Sequence, residues 1–309
     1  MKIGLMFAGQ GAQTVGMGHD IYEAFPSAAK LFRHADELLK YDLTQAMFHG
    51  PAEELTKTAI CQPALYVHGL ALLSALKSVL PNFRFDAAAG LSLGEFTAYA
   101  AAGAFDFETG LRLVTQRARF MQEACEQTTG SMAAIIGAEE TSVRDLAAAT
   151  DVDIANLNCP GQIVISGEQS KIALAVSLAK EYGARKAVEL KVAGAFHSRL
   201  MESAYERLRQ ELENTPLLPP SVPVVCNVDA IAVGDPSDIR RTLAEQVTGT
   251  VRWTESVQCL VNQQRCDVLL ELGPGAILAG LVNRISKEVR VLNVSNKATL
   301  EEVVKSLTV

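Results

Sequence analysis

The sequence predicts an α/β protein: a large domain built on a parallel sheet, with a small ferredoxin-like subdomain inserted into it. Three observations predict this. Short apolar runs alternate with helical patterns in both outer parts of the chain, as expected for a parallel sheet covered by helices on both faces. The middle of the chain changes to the order β-α-β-β-α-β, the ferredoxin-like pattern. The 309 residues, 49% hydrophobic and 20% charged, suffice for a large core and for one big domain with a small one attached.

The elements follow in order. Ile3-Gly4-Leu5-Met6-Phe7 reads as a short buried strand, ended by Gly9-Gln10-Gly11. Helical patterns fill 28–39 and 63–80. Residues 85–90 read as a second strand that feeds directly into a helix over 93–102. A further helix covers 107–125, with Arg112, Gln116, Arg117 and Arg119 among apolar positions. Then come a strand at 131–136, a helix at 142–149, and strands at 154–156 and 162–166 that meet across the Asn158-Cys159-Pro160-Gly161 turn. A helix at 170–182 and a strand at 184–191 complete the unit. The expected division is 1–125 and 193–309 for the large domain and 126–192 for the subdomain. A long helix over 197–213 follows, then a turn at Pro219-Pro220 and strands at 222–227 and 268–272. Gly273-Pro274-Gly275 breaks the last strand, and another helix begins after it.

Composition excludes several function classes. The net charge of −7 argues against general nucleic-acid binding, which calls for a basic domain. None of the six cysteines forms a C-x-x-C pair, so no metal or redox motif is supported, and scattered thiols suit a reducing, cytoplasmic setting. The apolar start is too short for a signal peptide. The alanine-rich stretch 87–105 is interrupted by Gly94, Glu95 and Thr97 and is a poor membrane span. The glycine-rich start lacks the third glycine of a dinucleotide fingerprint, since Ala12, Gln13 and Thr14 follow Gly11. No cofactor is expected, and no membrane partner.

The chemistry is carried by Gly90-Leu91-Ser92-Leu93-Gly94. A G-x-S-x-G between a strand and a helix is the nucleophile-elbow pattern. The serine sits on a sharp turn where neighbouring side chains would collide, and the glycines remove the collisions. The helix N-terminus then favours developing negative charge, with the N–H of Leu93 as one oxyanion donor. The alternative is that Ser92 simply caps the helix. An activated serine needs a base. Of the five histidines, His34 and His49 lie in polar stretches, His68 on an apolar helix, and His19 near the first loop. His197, in Gly194-Ala195-Phe196-His197-Ser198 where a strand gives way to a helix, is the best placed. No acid stands out as a third member; a backbone carbonyl or an amide can orient the imidazole instead.

Together these pieces resemble the malonyl-CoA:acyl-carrier-protein transacylase family, which shares its fold with the acyltransferase domains of polyketide and fatty-acid synthases. The resemblance covers nearly the whole chain. Its motifs are the start from Phe7 to Gln13, the elbow extended to Glu95, Arg117 through Met121, and the Asn158-Cys159-Pro160-Gly161-Gln162 turn. The Phe196-His197 segment, Val224-Val225-Cys226-Asn227-Val228 and Glu271-Leu272-Gly273-Pro274-Gly275 complete the set. It implies a hydrolase-like large domain with the ferredoxin-like insert. It also implies roles: Ser92 as nucleophile, His197 as base, and Gln246 as the residue whose carbonyl oxygen orients the histidine. Gln10 and the Leu93 N–H would form the oxyanion hole. Arg117 would bind the free malonyl carboxylate, with Met121 in the same motif, Asn158 near the thioester entrance, and Phe196 leaving little room for an extra methyl.

The implied partners are malonyl-CoA and a phosphopantetheinylated acyl carrier protein in fatty-acid synthesis, and the implied state is a monomer. Two positions depart from the family pattern: Leu91 where histidine is usual, and Thr250 where proline is common. Three readings remain open at this stage: the malonyl transferase, a serine hydrolase that strips acyl groups from carriers, and a non-enzymatic carrier-docking module. Arg117 favours the first, because a general editing hydrolase has little need of a carboxylate clamp. Arg185, Lys186 and Lys191 are the expected basic patch for an acidic carrier.

Overall fold

The computed structural model describes residues 1–308. The first sheet opens with β1 (Ile3–Phe7) and β2 (Ala87–Gly90). Between them lie α1 (His19–Ala24), α2 (Pro26–Leu39), α3 (Leu43–His49), α4 (Ala52–Thr56) and α5 (Thr58–Val79). After β2 come α6 (Leu93–Ala101) and α7 (Phe107–Gln127). The second sheet is built from β3 (Gly130–Ile136), β4 (Asp153–Cys159), β5 (Gln162–Glu168) and β6 (Lys186–Glu189), with α8 (Glu140–Thr150) and α9 (Gln169–Leu178) between them. The chain then returns to the first sheet through α10 (Glu202–Glu213), β7 (Val224–Val225), β8 (Ala232–Val233), α11 (Pro236–Glu245) and α12 (Trp253–Gln258). It ends on β9 (Val268–Leu272), α13 (Ile277–Ile285), β10 (Arg290–Val294) and α14 (Lys297–Thr308).

The first sheet has the order β10-β9-β1-β2-β7-β8. Its pairs are parallel except for β8, which runs antiparallel at the edge beside β7. Every residue of β1 and β9 is buried, as a strand covered on both faces requires. Alternation divides the two faces. Leu5 and Phe7 point into the main core with Leu270, whereas Met6 points into a second core with Leu269, Trp253 and Leu278. The second sheet is antiparallel throughout, in the order β4-β5-β3-β6. One face packs its own core of Ile135, Leu146, Leu157, Ile165 and Ile172. Met132 and Val164, on the other face, join the main core. A parallel-sheet core with a separate antiparallel sheet is therefore the architecture.

Several boundaries differ from expectation. The helix expected from 63 begins a turn earlier, so Pro63 sits inside α5 and Gln62 is placed on that helix. The helix expected over 197–213 is a 3-10 turn at Arg199–Met201 followed by α10, because Ser198 caps the turn by accepting from the Leu200 N–H. His197 is left in the loop before it. The strand expected over 222–227 contracts to Val224–Val225, since the chain turns at Cys226, whose N–H donates to the Ile231 carbonyl. Helix α5 is long and apolar enough to cross a membrane, yet 83% of that window is buried inside the protein, against α2, α6 and α7.

Thr250, the second departure, helps stitch the two sheets together. Its hydroxyl donates to the Ile154 carbonyl at 2.7 Å, and the neighbouring Val251 exchanges backbone bonds with Ala155 and Leu157 of β4.

Candidate active site

Ser92 stands between β2 and α6 with φ 53° and ψ −110°, a backbone state a non-glycine residue holds only where its surroundings impose it. The packing around it explains the two glycines. A Cβ on Gly90 would lie 1.9 Å from the Gly94 carbonyl carbon, and one on Gly94 would lie 2.1 Å from the Phe7 oxygen. Gly9 is needed for the same reason, because its Cβ would meet the Leu91 carbonyl at 2.4 Å. The turn after β1 and the turn after β2 are thus pressed backbone to backbone, which brings the Gln10 loop beside the serine.

Ser92 does not cap its helix: its side chain makes no capping bond. The hydroxyl faces other partners. His197 Nε2 lies 2.8 Å from Oγ, and Arg117 Nη2 donates to Oγ at 3.0 Å. His197 Nδ1 lies 2.7 Å from the Gln246 backbone carbonyl. A carbonyl only accepts, so Nδ1 carries the proton and Nε2 is bare, ready to take the seryl proton. His197 itself adopts φ 56°, which turns the ring toward Ser92 out of the loop that precedes the 3-10 turn. Burial, and then the Arg117 charge, push its pKa down to about 4. The imidazole is therefore held neutral. Only the neutral ring accepts the seryl proton, so the acid limb of acylation kcat/KM belongs near pH 4 rather than at 6.5. The rate of acyl-enzyme formation from pH 4 to 8 checks this; a limb centred near 6.5 would mean that the working imidazole is solvated.

The elbow is held from behind by three side chains. Asn227 accepts from the Ser92 N–H at 2.7 Å and donates to the Gly90 carbonyl at 2.8 Å. Gln246 Nε2 donates to the Ser92 carbonyl at 2.9 Å and to Glu95 Oε2 at 2.6 Å, while its Oε1 accepts from Arg117 Nη2 at 2.8 Å. Arg117 Nη1 donates to Gln62 Oε1 at 2.6 Å, and the guanidinium lies 5.5 Å from the centre of the Phe96 ring. Arg117 is 1% exposed. It is not a solvated helix arginine like Arg112, which pairs with Glu211 at the surface.

These groups open on a cavity of about 380 Å³ between the two sheets. Every residue the sequence singled out for substrate contact lines it: Gln10, Leu93, Arg117, Met121, Asn158 and Phe196. Among the described residues the Leu93 N–H finds no acceptor and the buried Asn158 Oδ1 finds no donor. Both are free to meet a ligand. Gln10 Nε2 makes only a long 3.4 Å bond to Thr58. Leu91 lines the same cavity and packs on the second core.

The other histidines are elsewhere: His19 pairs with Glu23, His34 with Glu108, and His68 is fully buried on α5. A larger groove of about 850 Å³ lies past the C-terminal end of α6, lined by residues such as Leu70, Leu73 and Phe105, and holds none of this constellation. Sequence reasoning missed Gln62, Asn227 and Glu95 as site residues. The last two lie inside quoted motifs; Gln62 had no signal beyond the proline after it.

Comparison with known proteins agrees in extent and in kind. Residues 5–305 match the family model of the acyl transferase domain. The malonyl CoA-acyl carrier protein transacylase of Bacillus subtilis (strain 168) is 40% identical, over 99% of this chain and 97% of the relative. Among solved structures, the acyl-carrier-protein S-malonyltransferase of Bartonella henselae superposes with a TM-score of 0.95 at 36% identity, covering both chains in full. A malonyl-transacylase solved in complex with its type II PKS acyl-carrier protein does so with a TM-score of 0.94 at 36% identity, over 99% of this chain and all of that one.

Proposed function

The chain belongs to the acyl transferase family, and from that premise we propose that it moves a malonyl group from malonyl-CoA to the phosphopantetheine thiol of an acyl carrier protein, supplying extender units for fatty-acid synthesis. The observation that carries this reading is a buried arginine donating to the hydroxyl of a strained, histidine-paired serine. The free carboxylate of a malonyl ester lies only two carbons beyond the seryl oxygen's new partner, within reach of a guanidinium that already touches Oγ. Arginine suits it because its planar fork binds both carboxylate oxygens.

The steps follow from the placement. Ser92 Oγ attacks the thioester carbonyl and its proton passes to His197 Nε2. The oxyanion is received by the Leu93 N–H and Gln10, donors each worth about 10²–10³ in rate. Collapse breaks the C–S bond, CoA leaves with the proton from His197, and a malonyl-Ser92 ester remains. The carrier's thiol then gives its proton to His197, attacks the ester, and Ser92 Oγ leaves with that proton. This is ping-pong covalent catalysis. Asn158 would meet the incoming thioester, and Met121 and Phe196 would bound the acyl group.

The finer architecture belongs to the same reading. We assign 126–192 to a ferredoxin-like subdomain, supported by its strand order and its own core, inserted in a hydrolase-like domain of 1–125 and 193–309. A monomer in the cytoplasm is the setting, in keeping with six free, buried cysteines.

Incubation with malonyl-CoA and a pantetheinylated carrier, read by intact mass, tests the activity. The carrier should gain one malonyl group. Free malonate appearing faster than loaded carrier would support a hydrolase, and no CoA release at all would leave only a docking role. Lys191 is exposed and lines the cavity mouth, with Arg185 and Lys186 exposed before it. Reversing these three charges should raise the apparent KM for the carrier severalfold and leave that for malonyl-CoA unchanged; equal effects on both would remove the patch from carrier docking.

A further inference from the structure

Glu95 takes no part in the steps above, yet it is fully buried beside them. It lies three residues after Ser92 at the start of α6, the S-x-x-E spacing at which a serine and a glutamate ordinarily cap a helix for each other. Neither does so here. The Ser92 N–H goes to Asn227, and Glu95 Oε2 accepts instead from Gln246 Nε2 at 2.6 Å and from the Asn227 N–H at 3.0 Å. Glu95 Oε1 has no partner.

The Gln246 amide stands between Glu95 and Arg117, and its orientation is forced. A guanidinium can only donate, so Oε1 must face Arg117 and Nε2 must face the carboxyl group. The carboxyl, the amide and the guanidinium form one relay from Glu95 to the arginine fork at Ser92. Without an acceptor at position 95 the amide keeps only the Ser92 carbonyl for its Nε2, and the oxygen that aims Arg117 Nη2 is held less firmly.

We propose that Glu95 is a positioning residue for carboxylate recognition: through the Gln246 amide it holds the Arg117 fork beside Ser92, and its charge sets how strongly that fork attracts the second carboxylate of the acyl donor. The proposal rests on the malonyl-transfer reading. The charged and titratable groups around Glu95 are Arg117 from α7, Cys226 and Asp229 from the end of β7 and the turn after it, and Tyr99 one turn along α6. Burial holds the Glu95 proton up to about pH 8, against hydrogen bonds and an arginine that act the other way. Below that pH Arg117 is uncompensated and attracts a malonyl carboxylate fully. Above it, ionised Glu95 offsets the arginine. An acetyl group has no carboxylate and is indifferent to the change.

The test is the ratio of acyl-enzyme formation rates with malonyl-CoA and acetyl-CoA, from pH 6.5 to 9.5, for the wild type, Glu95→Gln and Glu95→Ala. In the wild type the ratio should fall about tenfold through pH 8, as expected for two buried charges acting across one amide. In Glu95→Gln it should be flat, because the new amide oxygen still accepts from Gln246 and Asn227 but never ionises. Glu95→Ala should lose most of the preference for malonyl, and Glu95→Gln should recover about tenfold or more of that loss. A wild-type ratio independent of pH, or a Glu95→Gln profile identical to it, overturns the proposal while malonyl transfer stands. A wild type that forms no malonyl-enzyme removes the reading beneath it.

Discussion

Replacing Ser92 with alanine should abolish the malonyl-enzyme adduct and lower carrier loading by about 10⁴-fold or more, as loss of the nucleophile does in other serine enzymes. Beyond the chemistry, the substitution removes only the hydroxyl's contacts with His197 and Arg117. The turn is held by Asn227 through the Ser92 N–H and by Gln246 through the Ser92 carbonyl, and both bonds involve only backbone atoms of residue 92. The hydroxyl caps nothing. Ser92→Ala should therefore keep the fold, with a melting temperature within a few degrees of wild type, which separates lost chemistry from lost structure. Intact mass after malonyl-CoA treatment reads the result directly, and a surviving adduct would place the nucleophile elsewhere.

Arg117→Ala should lower malonyl transfer by about 10²–10³-fold, the range expected when one member of a buried charge pair is removed. Acetyl transfer should fall by much less. It will not be untouched, because Arg117 Nη2 also contacts Ser92 Oγ and Gln246. The measured quantity is the malonyl-to-acetyl ratio of kcat/KM in wild type and variant. If both substrates fall equally, the arginine is a structural strut between Gln62 and Gln246 and the carboxylate is held elsewhere. A companion effect has a definite sign. The Arg117 charge is the second cause of the lowered His197 pKa, so its removal should move the acid limb of the acetyl reaction upward, toward 6.5.

Much of the site was legible in the sequence because its central feature is local. A strand, a glycine, a serine, a glycine and a helix lie within ten residues, and the sterics that demand the glycines act between near neighbours. The separate antiparallel sheet was legible for the same reason: strand-helix-strand follows strand-helix-strand along that stretch, and its strands carry their own alternation. The failures are equally physical. The helix drawn from 197 ignored the serine that caps a 3-10 turn and leaves His197 outside it. The helix drawn from Pro63 treated proline as a first-turn residue, its commonest place, and so dropped the turn that carries Gln62.

By itself the sequence singled out the Ser92 elbow and determined the parallel core, the separate antiparallel sheet and, through the motif set, the family. Only the tertiary structure decided who serves the serine. His197 is 105 residues away from it, Asn227 135 and Gln246 154. Contacts across such separations are set by which strand ends meet, and no local propensity encodes that. It is the fold that selects one histidine of five, points its Nδ1 proton at a backbone carbonyl where no acid stood out, and turns the S-x-x-E of an ordinary helix cap into a histidine-paired hydroxyl and the buried carboxyl group behind it.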